Sequence, residues 1–365
     1  MDRSEEVASK LDRVRGWLDE HDAEAVLFRS QANFAWLTAG GRSHVSIGED
    51  AGIAWVLVTS SDAFVVTTNI ERPRLLDEEL RDLPYEVLSY PWHSPDEGVS
   101  LVEERAASVV ADLPLASFHP AGASLVALRF TLLPSEVERY RALGRDAATA
   151  LESAARAAEP GMSELEISGV LASECRARDI LPLVDLVGAD DRIDRYRHPI
   201  PTDRRVERTV MLAVTGRRAG LHASLTRFVS FGPVETDRET RVPSTARVDA
   251  RYLTVSRPGT SLAEVFSAGM EQYAREGYPG EEERHHQGGL TGYGGREIFA
   301  TPAARHVLAE NQALAWNPSI TGTKSEDTVL VRDGFPEILT RTGNWPELEA
   351  EFDGERIVRP AFLIR

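Results

Sequence analysis

The sequence predicts a two-domain protein, an α/β domain over residues 1–132 followed by an α+β domain over residues 133–365. Three observations carry this. The 365 residues amount to two domains at roughly 150 residues each, and 42% apolar with 27% charged residues is the composition of a globular chain that can bury a core. Short strand-like runs alternate with helical spacing over the first part of the chain, which is the α/β pattern. Past Leu133-Pro134 the alternation gives way to a pair of helices, then strands and a glycine-rich stretch, an α+β order.

Val7, Leu11, Val14 and Leu18 recur at helical spacing within residues 5–20, and AVLFRS after them is a short apolar run of strand type. GIAWVLVTS (52–60) and AFVVTTN (63–69) flank the polar Ser61-Asp62 and read as a hairpin. ERPRLLDEELRDL (71–83) returns to helical spacing, YEVLSYPW (85–92) is a strand and LVEERAASVVADL (101–113) a helix. A short strand near Ala116 to His119 and a helix ending near Phe130 close the domain. In the second domain, Ser135 with Glu138 forms a capping box for an Ala-rich helix that Glu159-Pro160-Gly161 stops, and Ser163 with Glu166 opens another helix to about Arg178. RTVMLAVTGRR (208–218) and GLHASLTRFVSFG (220–232) are β-rich, Leu262 to Glu276 is helical, and the glycine-rich HHQGGLTGYGGRE (285–297), ALAWNPSI (313–320) and SEDTVLVRDGFPEILT (325–340) complete the order.

Fifty-eight acidic against 41 basic residues leave a net charge of −17, which repels phosphate backbones and anionic lipid, so neither nucleic acid nor membrane is an expected partner. No apolar stretch reaches the roughly 20 residues of a bilayer span, and the N-terminus lacks the apolar run of a signal peptide; a cytoplasmic location is expected. Cys175 is the single cysteine, which excludes an intrachain disulfide and a thiolate metal cluster and fits a reducing compartment. Only Lys10 and Lys324 among the basic residues are lysine, a bias assigned here to the host's composition and not to chemistry. The run GGLTGYGG lacks the Lys-Ser/Thr of a phosphate loop, and no strand–glycine–helix dinucleotide unit precedes it.

The helix pair joined by EPGMSELEI (159–167), the GL…SLTR…G strand (220–232), the HHQGG…GREI stretch and the closing SEDTVLV together resemble the creatinase, aminopeptidase P and prolidase family, over nearly the whole chain. The resemblance implies a creatinase-like N-terminal domain, a pita-bread C-terminal domain and a homodimer. Peptidases of this family hold two divalent metals with two Asp, one His and two Glu around a bridging water, a hard, oxygen-rich set. Laid on that pattern, Ala213 and Ser224 stand at the two Asp, Gly289 at the His and Asn317 at the first Glu, and only Glu326 keeps a carboxylate. One carboxylate cannot hold a dimetal centre, so neither metal nor other cofactor is expected.

What the resemblance leaves is a smaller constellation. His198, in RHPIP, matches the histidine that serves creatinase, the family's metal-free hydrolase, as general base and acid. Glu326 matches the creatinase glutamate that binds the guanidinium group; a second such glutamate falls on Thr226, so creatine itself is not the expected substrate. Arg296 takes the place of a family histidine and offers a fixed positive charge to a carboxylate or oxyanion. His285 and His286 are adjacent, so on a strand one of them at most faces a pocket, and His286 is the one expected to meet substrate. Thr226 and Asn317 are expected beside the substrate. Arg42, in TAGGRSHVSIGE (38–49), matches the place from which creatinase reaches with an arginine into its partner's pocket.

The expected function is therefore metal-independent hydrolysis of a C–N bond in a small carboxylate-bearing amidine, guanidine or amide. Two rival readings are a non-catalytic small-molecule or peptide-binding protein and an Xaa-Pro metallopeptidase with unusual ligands such as His222, His286 and Glu326, which lacks the carboxylates a hard dimetal site needs.

Overall fold

A computed structural model describes residues 1–116, 118–352 and 354–365. The chain forms two compact units, Met1–Glu136 with Ala219–Leu221, and Val137–Arg218 with His222–Arg365.

The first unit opens with the helix Arg3–His21, started by a capping box of Asp2 and Glu5 and buried along Val7, Leu11, Val14 and Leu18, as the spacing predicts. Strands β1 (Ala25–Ser30), β2 (Ala51–Thr59), β3 (Ala63–Thr68), β4 (Glu86–Tyr90), β5 (Val109–Ala111) and β6 (His119–Pro120) form one mixed sheet in the order β4-β3-β2-β1-β5-β6. The expected helix over 101–113 is corrected. The helix is Pro95–Glu103, and Val109–Ala111 pairs in parallel with Ala25–Leu27, because a β-branched pair beside an apolar central strand gains more from the ladder than from a helical turn. Gln31–Leu37, which carries no polar face, is a short buried helix capped by Ser30. Residues 71–83 hold one helical turn and a π turn, Arg72–Arg74 and Leu75–Glu79, instead of a regular helix. Ser117, inside the strand expected near 116–119, lies outside the described residues. Lys10 is fully buried between Glu6 at 2.6 Å and Glu136 at 2.8 Å.

The helix Pro134–Ala157 begins one residue before the expected cap. Proline at its first position lacks an N–H that would need a partner, the Leu133 N–H donates to Glu136, and the Ser135 hydroxyl donates to Glu6. The second capping box is as predicted: Ser163 and Glu166 start the helix Glu164–Arg176. Strands β7 (Leu181–Ala189), β8 (Thr209–Arg218) and β9 (Leu221–Ser230) follow, then the helices Thr236–Val255 and Leu262–Arg275. Pro243 lies inside Thr236–Val255, and that interruption hides the helix from a pattern reading. A second group of strands comprises β10 (Gly288–Thr291), β11 (Ile298–Phe299), β12 (Ala313–Trp316), β13 (Ser319–Ile320), β14 (Thr323–Lys324), β15 (Asp327–Leu330), β16 (Glu337–Ile338), β17 (Glu347–Phe352), β18 (Glu355–Pro360) and β19 (Leu363–Ile364).

Two larger sheets result, β19-β9-β8-β7 and β11-β10-β12-β15-β16, and β13-β14 and β17-β18 pair separately. Ala219 and Gly220 both take positive φ, 49° and 81°, the turn that matches the twist of a two-residue hairpin between β8 and β9. An isolated bridge between Thr226 and Glu326 ties the two sheets together, and this junction positions the site.

Candidate active site

Glu326 sits just before β15, held at both ends by Thr226: the Thr226 N–H donates to its carbonyl at 3.2 Å and the Thr226 hydroxyl to its carboxylate at 2.6 Å. Lys324, two residues earlier and so on the same face of an extended run, brings Nζ to 2.7 Å from Glu326 Oε2. Arg296, from the loop between β10 and β11, approaches Glu326 Oε1 at 3.7 Å and donates to the Gly295 carbonyl at 2.6 Å. Burial pushes the Glu326 carboxyl up, but the charges of Lys324 and Arg296 outweigh it and hold the group below the usual carboxylate range.

These groups line a cavity of about 170 Å³ together with His198, His286 and Asn317, closed on its apolar side by Val184, Leu186, Ala213 and Val214. The first unit holds a roomier cavity of about 390 Å³, but Asp12, Arg15, Asp62 and Glu86 are its charged lining residues and no histidine is among them. The chemistry therefore points to the smaller one.

Two imidazoles, His198 and His286, line that cavity, and the buried His285 packs against them. His285 Nε2 is 3.1 Å from His198 Nε2, its Nδ1 is 3.3 Å from Ser319 Oγ, and the Asn317 amide nitrogen is 3.4 Å from its Nε2. The His286 ring centroid is 4.7 Å from that of His285 and 5.7 Å from that of His198, with Phe299 edge-on at 5.2 Å. As expected, only His286 of the adjacent pair lines the cavity, although the His285 ring still reaches His198. Strict alternation needs a strand, and β10 begins only at Gly288, so the two rings converge instead of diverging. Burial, reinforced by Lys324, drives His285 far below the ordinary histidine range. Burial and then Arg296 bring His286 down to about 4, and partial shielding and then Lys324 lower His198. All three imidazoles are thereby held toward the neutral form, and the charged side-chain types lining the cavity are Lys324, Arg296 and Glu326.

Two expectations change. Glu326 is not waiting for a cationic substrate group, since Lys324 and Arg296 already occupy its carboxylate. Thr226 is 1% exposed and spends its hydroxyl on Glu326, so it supports the carboxylate from behind and does not line the cavity. Arg42 lies on an exposed loop of the first unit, where its N–H donates to Glu79 at 2.9 Å and its carbonyl accepts from Arg74; it is not among the cavity residues. His222 engages the Gly292 carbonyl at 3.2 Å, and among the described residues the metal-ligating atoms that gather are those of His198, His285 and His286, not His222, His286 and Glu326. Sequence reasoning missed Lys324 and His285. Lys324 was legible as a rare lysine spaced two residues from Glu326; His285, which does not line the cavity, joins the site only through its contact with His198.

The positions that hold the dimetal centre in the resembling peptidases do not fit one here. The Ser224 hydroxyl is 2.9 Å from Thr215 Oγ1, Lys324 Nζ stands against the remaining carboxylate, and Gly289 has φ +143° with Ile298 O only 2.2 Å from where a Cβ would sit. No side chain, and so no histidine, fits at that glycine without moving β10 or β11.

Residues 138–333 match the family model of metallopeptidase family M24, and the chain belongs to this family of hydrolases acting on C–N bonds, with the pita-bread fold. It is similar in fold to the prolidase from Pyrococcus horikoshii OT3, at 17% identity and a TM-score of 0.76 over 92% of this chain and 98% of that one. The Xaa-Pro dipeptidase from Bacillus anthracis is similar at 17% identity and a TM-score of 0.79, over 98% of this chain and 100% of that one. The X-Pro aminopeptidase from Thermotoga maritima MSB8 is similar at 18% identity and a TM-score of 0.73, over 91% of this chain and 97% of that one. No match was found among the curated proteins. Among the described residues no helix is long and apolar enough to cross a membrane.

Proposed function

We propose that the protein hydrolyses a C–N bond of a small carboxylate-bearing amide without a dimetal centre, His198 acting as general base and then general acid. The observation that carries this reading is the charge of the cavity: two cations, Lys324 and Arg296, face one carboxylate, Glu326, and two imidazoles, His198 and His286. The surplus positive charge favours an anionic ligand and disfavours a guanidinium or amidinium, which narrows the expected set of amidine, guanidine or amide to the amide. A dipeptide is such a compound, and the similar solved structures are named for Xaa-Pro substrates, so short peptides belong on the test panel.

In the proposed reaction His198 takes a proton from water, whose oxygen adds to the amide carbon. The C–N bond then breaks, and the same proton passes to the leaving nitrogen. Lys324 and Arg296 serve the substrate carboxylate and the developing oxyanion between them, held in place beforehand by Glu326, which is in turn fixed by Thr226. Arg42, offered by the neighbouring subunit of a homodimer, remains the candidate for a further carboxylate anchor.

The test is turnover of a panel of N-acyl amino acids, Xaa-Pro dipeptides, creatine and other guanidino acids, before and after chelation. Chelator-resistant cleavage of an amide acid, lowered about 10²- to 10⁴-fold by His198→Ala, is expected. Cleavage that chelation abolishes and manganese, cobalt or zinc restores would overturn the reading, and tight binding of an amide acid without turnover would make this a binding protein.

A further inference from the structure

We propose that His198, His285 and His286 form a tris-imidazole site for one borderline divalent cation of the zinc type, separate from the oxygen-rich dimetal positions the chain has lost. The ligand-capable nitrogens, one from each ring, lie within 4.8 Å of one another, and the nearest measured pair is 3.1 Å apart. A tetrahedral ion with bonds of about 2.0–2.1 Å needs its nitrogens about 3.4 Å apart. Small ring rotations close that gap, and two of the three residues, His198 and His286, are exposed.

The donor set selects the ion. Three imidazoles with neither carboxylate nor thiolate among them suit zinc, copper or nickel and discriminate against magnesium, calcium and manganese. The orientation of the central ring is already set: His285 Nδ1 is engaged by Ser319 Oγ at 3.3 Å, which leaves Nε2 turned toward His198, the outer-shell arrangement of a metal-bound imidazole. Three protein ligands leave a fourth position toward the cavity, where Arg296 and Lys324 stand. Their charge weakens the site relative to a structural zinc centre and makes the fourth ligand an anion, hydroxide or carboxylate. On the hydrolase reading above, an ion held there occupies the lone pair with which His198 works, so filling the site inhibits.

The experiment titrates the chelator-stripped full chain with zinc against a chromophoric competitor, with manganese and magnesium in parallel. One equivalent of zinc, no competitive uptake of manganese or magnesium, and a loss of at least about tenfold in zinc affinity for His286→Ala and for His198→Ala are expected. His93→Ala, in the first unit, is expected to change nothing. His286 is exposed, so its variant keeps the measurement independent of folding, which a thermal melt verifies. No zinc uptake, or uptake that survives both variants, overturns the site. Zinc added to turning-over enzyme separates the two readings: binding without inhibition removes His198 as the base but keeps the site, and chelator-resistant turnover without zinc binding keeps the hydrolase and removes the site.

Discussion

Consecutive residues on one pair of strands enter two different charge clusters. Glu326, braced by Thr226, belongs to the cavity with Lys324 and Arg296, whereas Arg227 and Asp327, the next residues along, turn the other way. Arg227 Nη2 reaches Asp327 at 3.0 Å, and Arg359 lies 2.6 Å from both Asp249 and Asp327. Two cations there face two carboxylates, all four at most 3% exposed, beside a cavity of about 10 Å³, room for one water. The other face has two cations against one carboxylate and about 170 Å³ of space. Charges that cancel in a filled interior hold architecture; a surplus charge beside empty volume awaits a ligand. Perturbed titration alone would not separate the two, since Asp249 in the closed cluster is pushed up by burial as surely as His285 in the open one is pushed down.

Four experiments break or sharpen that contrast. Arg359→Ala leaves Asp249 and Asp327 buried with a single cation between them and is expected to cost about 3–5 kcal/mol of stability, read by denaturant unfolding; a loss below about 1 kcal/mol would mean that the cluster is not structural. Gly289→His, which restores the residue type expected at a lost ligand position, is expected to cost at least about 2 kcal/mol through positive φ and the clash with Ile298. It is expected to recruit no pair of metals, as elemental analysis would report. Lys324→Met removes one of the two cavity cations and is expected to weaken a carboxylate ligand by about 2 kcal/mol, roughly thirtyfold, measured by calorimetry, with melting temperature changed far less than in Arg359→Ala.

The smallest effect concerns a pair at the surface and calibrates both clusters. The Glu337 carboxyl is brought down to about 2, chiefly by its bonds to Arg141 and, against partial burial, to Arg332. A carboxyl lowered on folding contributes stability that is complete above its unfolded value near 4.3 and is lost as pH falls toward about 2. Wild-type stability should therefore fall more steeply between about pH 5 and pH 3 than that of Glu337→Gln. Equal slopes would assign no stabilisation to the pair.

How much was legible before the fold follows from the range of the interactions. The helix Arg3–His21 and the Ser163–Glu166 capping box depend on residues within a few positions of each other, and their side-chain types announce them. Val109–Ala111 joined a sheet because of a partner more than 80 residues away, which no local pattern contains. The same holds at the site. His198, Glu326, Arg296, His286 and Asn317 were nameable from motifs and do line one cavity, while Thr226, named with them, proved to stand behind Glu326.

By itself the sequence determined the capping box before Glu164–Arg176, the residue types at the five family ligand positions and a net charge of −17, because these depend on composition and on which residue types are present. Only the tertiary structure decided what the remaining polar residues do. It set Lys324 against Glu326 and so reversed the sign of the cavity, and it brought His285 and His286 to the same side as His198. Electrostatic sign and ligand geometry depend on distances of a few ångströms between residues far apart in the chain, and those distances exist only once the two sheets have met at Thr226 and Glu326.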